Sequence, residues 1–285
     1  MNKINLNDIK YIFFDLDGTL LTKDKEITKE VTAKIKELNK THQVVLNTGR
    51  PWYMAQKFYK QLDLKTPFLG LNGALIYDFQ DKKVLYKNPI NIETSLKLLN
   101  LFLKYNIAFL IYLDKEMIGV QKFKHEWFQK VVYPTVYPKN EFSAKFTEIN
   151  DPENQLKLNT PVIKFLLLID TLSESQLKEL QKEITSVSDE IYTVRSQKAV
   201  LDVMPKGSDK GTAIEWFSKN YLNNEKIYDY SLMFGDAAND IPAFEKVAYS
   251  CALKSSSLEA ENAANYVVSS STDNGIIEFF DKHTN

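Results

Sequence analysis

Two carboxylates one residue apart, Asp15 and Asp17, close the run Tyr11-Ile-Phe-Phe-Asp-Leu-Asp-Gly-Thr-Leu20. The four apolar or aromatic residues ahead of them read as a buried strand, and Gly18 marks a turn directly after. Side chains alternate along extended chain, so Asp15 and Asp17 are expected on one side and Leu16 on the other. Carboxylates that close repel unless a cation lies between them or one keeps its proton. A plain Asp-rich turn closed by Gly18 is the alternative. A second acidic group, Gly235-Asp-Ala-Ala-Asn-Asp240, also follows an apolar run, Leu232-Met-Phe234. Asp236 would end that strand, and Asp240 would precede a helix whose first turn takes Pro242. Capping by Asp240 and a turn at Asp236 would explain either residue alone. They do not explain four aspartates at the carboxyl ends of strands. Such an oxygen-only cluster, without His or Cys, suits Mg²⁺ better than zinc.

Between these groups lies Lys206-Gly-Ser-Asp-Lys-Gly-Thr212, which sets Lys210 near a helix start. An ammonium there adds to the positive end of the helix dipole and favours an anion; an exposed lysine in a Gly-rich turn is the plainer reading. The GxxxxGK[ST] and GxGxxG spacings of nucleotide-binding loops are missing.

The elements that must position these residues alternate. Tyr11 to Phe14 is a strand, and Val31, Ile35 and Leu38 mark one helix face. Val44 to Leu46 is a second strand, Trp52 to Leu62 a helix, and Pro67 to Leu71 a third apolar run. Alternation of this kind implies βαβ units and a doubly wound, Rossmann-like parallel sheet covered on both faces, with its site at the strands' carboxyl ends. Thr48-Gly-Arg50 falls at such an end. The pattern then changes to hairpins mixed with helices: Ala74 to Phe79 with Lys83 to Lys87, Leu96 to Leu103, Ile107 to Leu113, Val162 to Ile169, and a helix from Ser173 to about Val187, with a polar stretch from Pro138 to Pro161. This implies an α+β insertion over 83–198 in a core made of 1–82 and 199–285. After Asp202 the alternation resumes with a helix from Gly211 to Tyr221, a strand from Ser231 to Phe234, a helix from Ile241 to Val247 and a strand from Tyr249 to Leu253.

Composition is that of a globular chain: 285 residues, 44% hydrophobic and 26% charged. Thirty-six basic against 37 acidic side chains leave a formal charge of −1, so no global basic field recommends nucleic acid or an anionic membrane as partner. Cys251 is the single cysteine and cannot form an internal disulfide. Met1 to Lys10 is polar and no stretch reaches the roughly 18 apolar residues of a membrane span, so a cytoplasmic protein is expected.

Taken in order, Asp15-Leu-Asp-Gly-Thr19, Thr48, Lys210 and Gly235-Asp-Ala-Ala-Asn-Asp240 resemble the four motifs of the haloacid dehalogenase superfamily of phosphohydrolases. Thr48-Gly-Arg50, Leu71-Asn-Gly-Ala74 and the place of the insertion further resemble its Cof-type branch with a C2B cap. The resemblance spans essentially the whole chain. It implies an aspartyl-phosphate mechanism: Asp15 attacks phosphorus, and Asp17 protonates the leaving alcohol and later activates water. It implies Mg²⁺ held by Asp15, the backbone carbonyl of Asp17 and Asp236, with Asp240 as ligand or support. Thr48, the Gly49 N–H, Lys210 and Asn239 would hold the phosphoryl oxygens. Mg²⁺ and Lys210 would together offer three positive charges against a dianionic phosphate. Arg50 could pair with phosphate or with a carboxylate.

The expected substrate is a small phosphorylated metabolite, a sugar phosphate first, with the insertion acting as a lid. Tyr112, Trp127, Phe128 and Tyr133 are candidates either for substrate contact or for the insertion's core. A phosphomutase using the same aspartyl-phosphate and a silent sensor of phosphorylated ligands are the competing readings.

Overall fold

The structure is a computed structural model that describes residues 4–120, 125–149, 160–223, 227–254 and 257–283. Residues 150–159 of the polar stretch lie outside the described residues. Two compact units are present: Met1–Leu85 with Asp209–Asn285, and Tyr86–Ser208.

The first unit opens with β1 (Tyr11–Phe14), all four residues buried. Helix α1 (Lys29–Leu38) starts because the Thr28 side chain accepts the Val31 N–H, and it buries Val31, Ile35 and Leu38. Strand β2 (Gln43–Leu46), helix α2 (Trp52–Gln61) and strand β3 (Phe68–Gly70) follow. An antiparallel extension then runs through β4 (Leu75–Asp78) to β5 (Lys83–Lys87).

In the inserted unit, helix α3 (Ile92–Lys104) leads to strands β6 (Phe109–Tyr112), β7 (Met117–Val120), β8 (Phe146–Ile149) and β9 (Lys164–Leu168). Helix α4 (Glu174–Val187) is fixed at its start by a capping box between Ser173 and Gln176, and the hairpin β10 (Ile191–Gln197) and β11 (Val200–Pro205) completes the sheet. The six strands run in the order β10-β11-β9-β6-β7-β8. Alternate residues Phe109, Ile111, Phe165, Leu167, Leu201 and Val203 form one core with α3 and α4. Phe128 is fully buried and Tyr112 nearly so, which makes both packing residues. Trp127 donates its indole N–H to Gln197, and Tyr133 its hydroxyl to Glu148.

The sequence-based boundary at 198/199 moves to 208/209. Strand β11 is hydrogen-bonded to β9 on one side and β10 on the other, so 199–208 belong to the insertion. Its apolar character is interrupted by Asp202, fully buried and 2.8 Å from Lys164 on β9. That charge is why the strand escapes a search for apolar runs.

The chain then re-enters the first unit through α5 (Lys210–Trp216), β12 (Ser231–Gly235), α6 (Ile241–Phe244), β13 (Tyr249–Leu253), α7 (Leu258–Ala263), β14 (Tyr266–Val268) and α8 (Gly275–His283). The helix expected to Tyr221 is α-helical only to Trp216 and continues as a wider turn over Phe217–Tyr221. The parallel sheet has the order β14-β13-β12-β1-β2, extended toward β3 by a bridge from Asn47 to Leu69. Stacking of Phe14 on Phe234, ring centroids 4.9 Å apart, ties β1 to β12 in register. From β1 the chain winds one way to β2 and, after the insertion, the other way to β12, β13 and β14. The crevice at the carboxyl ends of β1 and β12 is therefore the topological switch point, where such sheets bind ligands. No helix among the described residues is long and apolar enough to cross a membrane.

Candidate active site

Strand β1 stops at Phe14, and its neighbour β12 stops at Gly235. Asp15 continues the sheet pattern by donating its N–H to the Phe234 carbonyl at 3.0 Å. The chain then turns, with the N–H groups of Thr19, Leu20 and Leu21 all donating to the Leu16 carbonyl. Strand alternation therefore ends before Asp17, and the two carboxylates find different cations. Asp15 accepts from Lys210 at 2.7 Å. Asp17 is gripped by Arg50, Nε to Oδ2 at 2.6 Å and Nη2 to Oδ1 at 2.8 Å, and Lys25 approaches Oδ1 at 2.7 Å.

Lys210 is the first residue of α5, a helix set by Asp209, whose side chain accepts the Thr212 N–H. The ammonium is fully buried and bridges two carboxylates, Asp15 and Asp240, the latter at 2.6 Å. It is not the free cation at a helix start that the sequence suggests. Asp240 accepts the N–H groups of Asp236 and Ala237 on its other oxygen, each at 3.0 Å, and so pins the loop after β12. Thr19 donates to Asp236 at 3.2 Å. Carboxyl oxygens of Asp15, Asp236 and Asp240 lie within 4.8 Å of one another.

Two glycines make that approach possible. A Cβ on Gly18, whose φ is +83°, would fall 2.2 Å from Asp236 Oδ2, and one on Gly235 would fall 2.3 Å from Asp240 Cγ. Neither collision can be relieved without displacing the carboxylate.

Burial raises the Asp15 carboxyl to about 6, with Asp240 and Asp17 adding to the rise and Lys210 opposing it. Asp236 is raised by burial and by the negative charges of Asp240 and Asp15. Asp17 goes the other way: burial would lift it, but Arg50 and Lys25 outweigh burial and hold it well below the usual carboxylate range. Lys210 is held charged by Asp15 and Asp240 against the effect of burial. Crowded, buried oxygens with carboxyl groups pushed upward are the signature of a site that a cation would relieve, and all its donors are hard oxygens. The residues present fit Mg²⁺.

Thr48, nearly fully buried after β2, donates its N–H to the Leu69 carbonyl at 2.9 Å and accepts the Arg50 N–H on its hydroxyl at 3.3 Å. Asn239 donates to Asn72 at 3.1 Å. The turn between β3 and β4 thereby supports the loop after β12. Asn72 has no assigned role in the sequence reading; its signal is an asparagine before glycine at a turn, here with φ of +50°. Asn47 is also absent from that reading. Its Nδ2 donates to the Lys210 carbonyl at 2.9 Å, while its buried Oδ1 has no hydrogen-bond partner among the described residues.

Residues 12–280 match the model of the haloacid dehalogenase-like hydrolase family, and the chain belongs to that family. It is a hydrolase of the phosphatase type. A putative phosphatase of Mycoplasma genitalium, MG265, is 27% identical over 283 residues, covering 96% of this chain and 97% of the relative. The pyridoxal phosphate phosphatase YbhA of Escherichia coli is 27% identical over 285 residues, covering 96% and 98%. Among solved structures, a haloacid dehalogenase-like hydrolase from Bacteroides thetaiotaomicron superposes with a TM-score of 0.78 at 22% identity, covering 96% of this chain and 99% of its own. The subclass IIB sugar phosphatase BT4131 superposes with a TM-score of 0.75 at 21% identity, covering 96% and 99%. These two likenesses establish the shared fold.

Proposed function

We propose that the protein is a Mg²⁺-dependent phosphatase of small phosphorylated metabolites, acting through a phosphoryl group carried on Asp15. The supporting observation is the assembly of Asp15, Lys210, Asp236 and Asp240 at the switch point from elements far apart in sequence. Asp15 Oδ attacks phosphorus as the ester oxygen departs, forming an acyl phosphate, and water then displaces phosphate from that carboxyl. Lys210 orients Asp15 and stabilises the charge that builds on the transferring group. Asp17 takes a proton from the attacking water; held as a carboxylate by Arg50 and Lys25, it can protonate the leaving oxygen only after substrate has drawn one of those cations off it. Its Arg50 clamp fixes the carboxylate in place. Thr48, the Gly49 N–H and Asn239, the last steadied by Asn72, complete the phosphoryl cradle.

Mg²⁺ would be held by carboxylates of Asp15 and Asp236 and by the Asp17 carbonyl, and would neutralise the phosphoryl oxygens. Asp240 spends both oxygens on Lys210 and on two backbone N–H groups, which makes it the support of this set rather than a ligand. For substrate we favour sugar phosphates first, the class named for BT4131, with pyridoxal phosphate, named for YbhA, as the second candidate.

Release of phosphate from p-nitrophenyl phosphate with Mg²⁺, and from a panel of sugar phosphates and pyridoxal phosphate, tests the reading. Asp15→Asn should lower turnover by roughly 10⁴-fold or more, the scale of losing a nucleophile. Wild-type turnover no higher than that of Asp15→Asn on every ester would overturn it.

A further inference from the structure

The inner site holds less positive charge than the sequence suggests. Lys210 is not available as a surplus cation, because its ammonium lies 2.7 Å from Asp15 and 2.6 Å from Asp240. With Asp236 beside them, three carboxylates face one ammonium, and the two negative charges left over are just cancelled by one divalent cation. A dianionic phosphoryl group would then meet a neutral inner site. The positive surplus sits one step out, where Asp17 carries two cations, Arg50 and Lys25.

Of the two cations on Asp17, only one is placed to move. The Arg50 side chain is 7% exposed, holds Asp17 through two bonds and lies over the Phe58 ring. The Lys25 side chain is 30% exposed and makes one contact with that carboxylate, on an oxygen that Arg50 already serves. Lys25 has a φ of +60°, a conformation costly for a side-chain-bearing residue, within a turn closed by Lys25 N–H to Thr22 O at 3.0 Å and Thr22 N–H to Glu26 O at 2.9 Å. A strained lysine that points back at an already neutralised aspartate suggests a second partner for its ammonium.

We propose that Lys25 is a phosphoryl-binding residue, which swings from Asp17 onto the bound phosphoryl group and supplies the net positive charge that the inner cluster lacks. The assignment rests on the phosphatase reading for its catalytic meaning, whereas the binding it describes can be measured without turnover. Loss of Lys25 weakens anion capture and leaves the Asp15–Asp236 metal site intact. Its departure leaves Asp17 Oδ1 with the Arg50 Nη2 contact alone, so that one movement both holds the substrate and takes one of two cations off that oxygen.

Mg²⁺-loaded wild type, Lys25→Met and Lys25→Arg are titrated with inorganic phosphate by calorimetry, and Mg²⁺ affinity is followed separately by thermal shift. Lys25→Met should weaken phosphate binding about tenfold, the scale of one partly solvated charge contact, and Lys25→Arg should recover most of it. Mg²⁺ affinity should be the same in all three. Phosphate affinity of Lys25→Met within about twofold of wild type overturns the proposal, as does a loss that arginine fails to restore or that is matched by a loss of Mg²⁺ affinity. A wild type that binds phosphate with this Lys25 dependence yet hydrolyses no ester would sink the phosphatase reading alone.

Discussion

Arg50 and Asp17 form a two-bond clamp, Nε to Oδ2 at 2.6 Å and Nη2 to Oδ1 at 2.8 Å, that joins the loop after β1 to the loop after β2. The planar fork fixes the plane of the carboxylate as well as its position. An ammonium cannot do the same, so Arg50→Lys should keep the charge and lose the geometry. We expect kcat to fall by about tenfold to a hundredfold, as for a misplaced proton donor. Arg50→Ala should in addition destabilise the protein, by less than the about 3–5 kcal/mol of a fully orphaned buried charge, because Lys25 still pairs with Asp17. Steady-state kinetics and urea unfolding on both variants separate the two effects, and a fully active Arg50→Lys would show that the fork is dispensable.

Gly18 and Gly235 are steric requirements of the acidic cluster. A methyl group at Gly18 would sit 2.2 Å from Asp236 Oδ2, on a backbone with φ of +83°. Gly18→Ala should therefore push Asp236 out of the cluster, lowering Mg²⁺ affinity by at least about tenfold along with turnover. Gly207 provides the control, since it has φ of +77° but nothing within 4 Å of the place a methyl group would take. Gly207→Ala should cost only the conformational strain of about 1 kcal/mol. Equal effects of the two substitutions on the Mg²⁺ titration would remove the steric argument.

Much of the core and its acidic residues is legible in the sequence because both depend on local pattern. Strands β1, β2 and β12 are built on short apolar runs, and Asp15 and Asp236 stand directly after β1 and β12, with Asp240 four residues further on in the same loop. What escapes is set by partners distant in the chain. The role of Arg50 is open until Asp17 is seen beside it. Asn72 becomes a support only through Asn239, and Lys25 enters through the shape of a turn. In the inserted unit, β8 mixes exposed Thr147 and Glu148 with a buried Ile149, and β11 hides a charge, so neither shows the alternation or the apolar run that marks a strand.

The proposed metal binding through Asp15 should depend on pH. Burial raises its carboxyl to about 6, helped by Asp240 and Asp17 and opposed by Lys210, from an ordinary 3.8. A carboxyl raised on folding contributes stability while protonated. That contribution is complete below about pH 4 and is lost as pH rises through about 6. The metal-free protein thus carries its largest electrostatic cost at neutral pH, where a divalent cation relieves it, while protons compete with the cation below about pH 6. Mg²⁺ should raise the melting temperature more at about pH 7.5 than at about pH 5. An equal Mg²⁺ shift at the two pH values would mean that Asp15 is not a ligand.

Lys164 and Asp202 hold a buried charge pair inside the inserted unit, 2.8 Å apart with side chains 2% and 0% exposed. They sit on neighbouring strands β9 and β11, where Asp202 is in register with Leu166. Lys164 also lies over the Tyr112 ring, 5.7 Å from its centre. Removing one charge leaves the other in a medium that solvates it poorly. Lys164→Met should therefore cost about 3–5 kcal/mol, whereas exchanging both residues for apolar ones of similar volume removes the desolvation penalty together with the attraction. Lys164→Met with Asp202→Leu should recover most of the stability lost in the single variant. Thermal and urea unfolding of the two singles and the double close the cycle. A double variant no more stable than Lys164→Met would show that packing around Tyr112 and the lysine stem, and not the charge pair, governs this sheet.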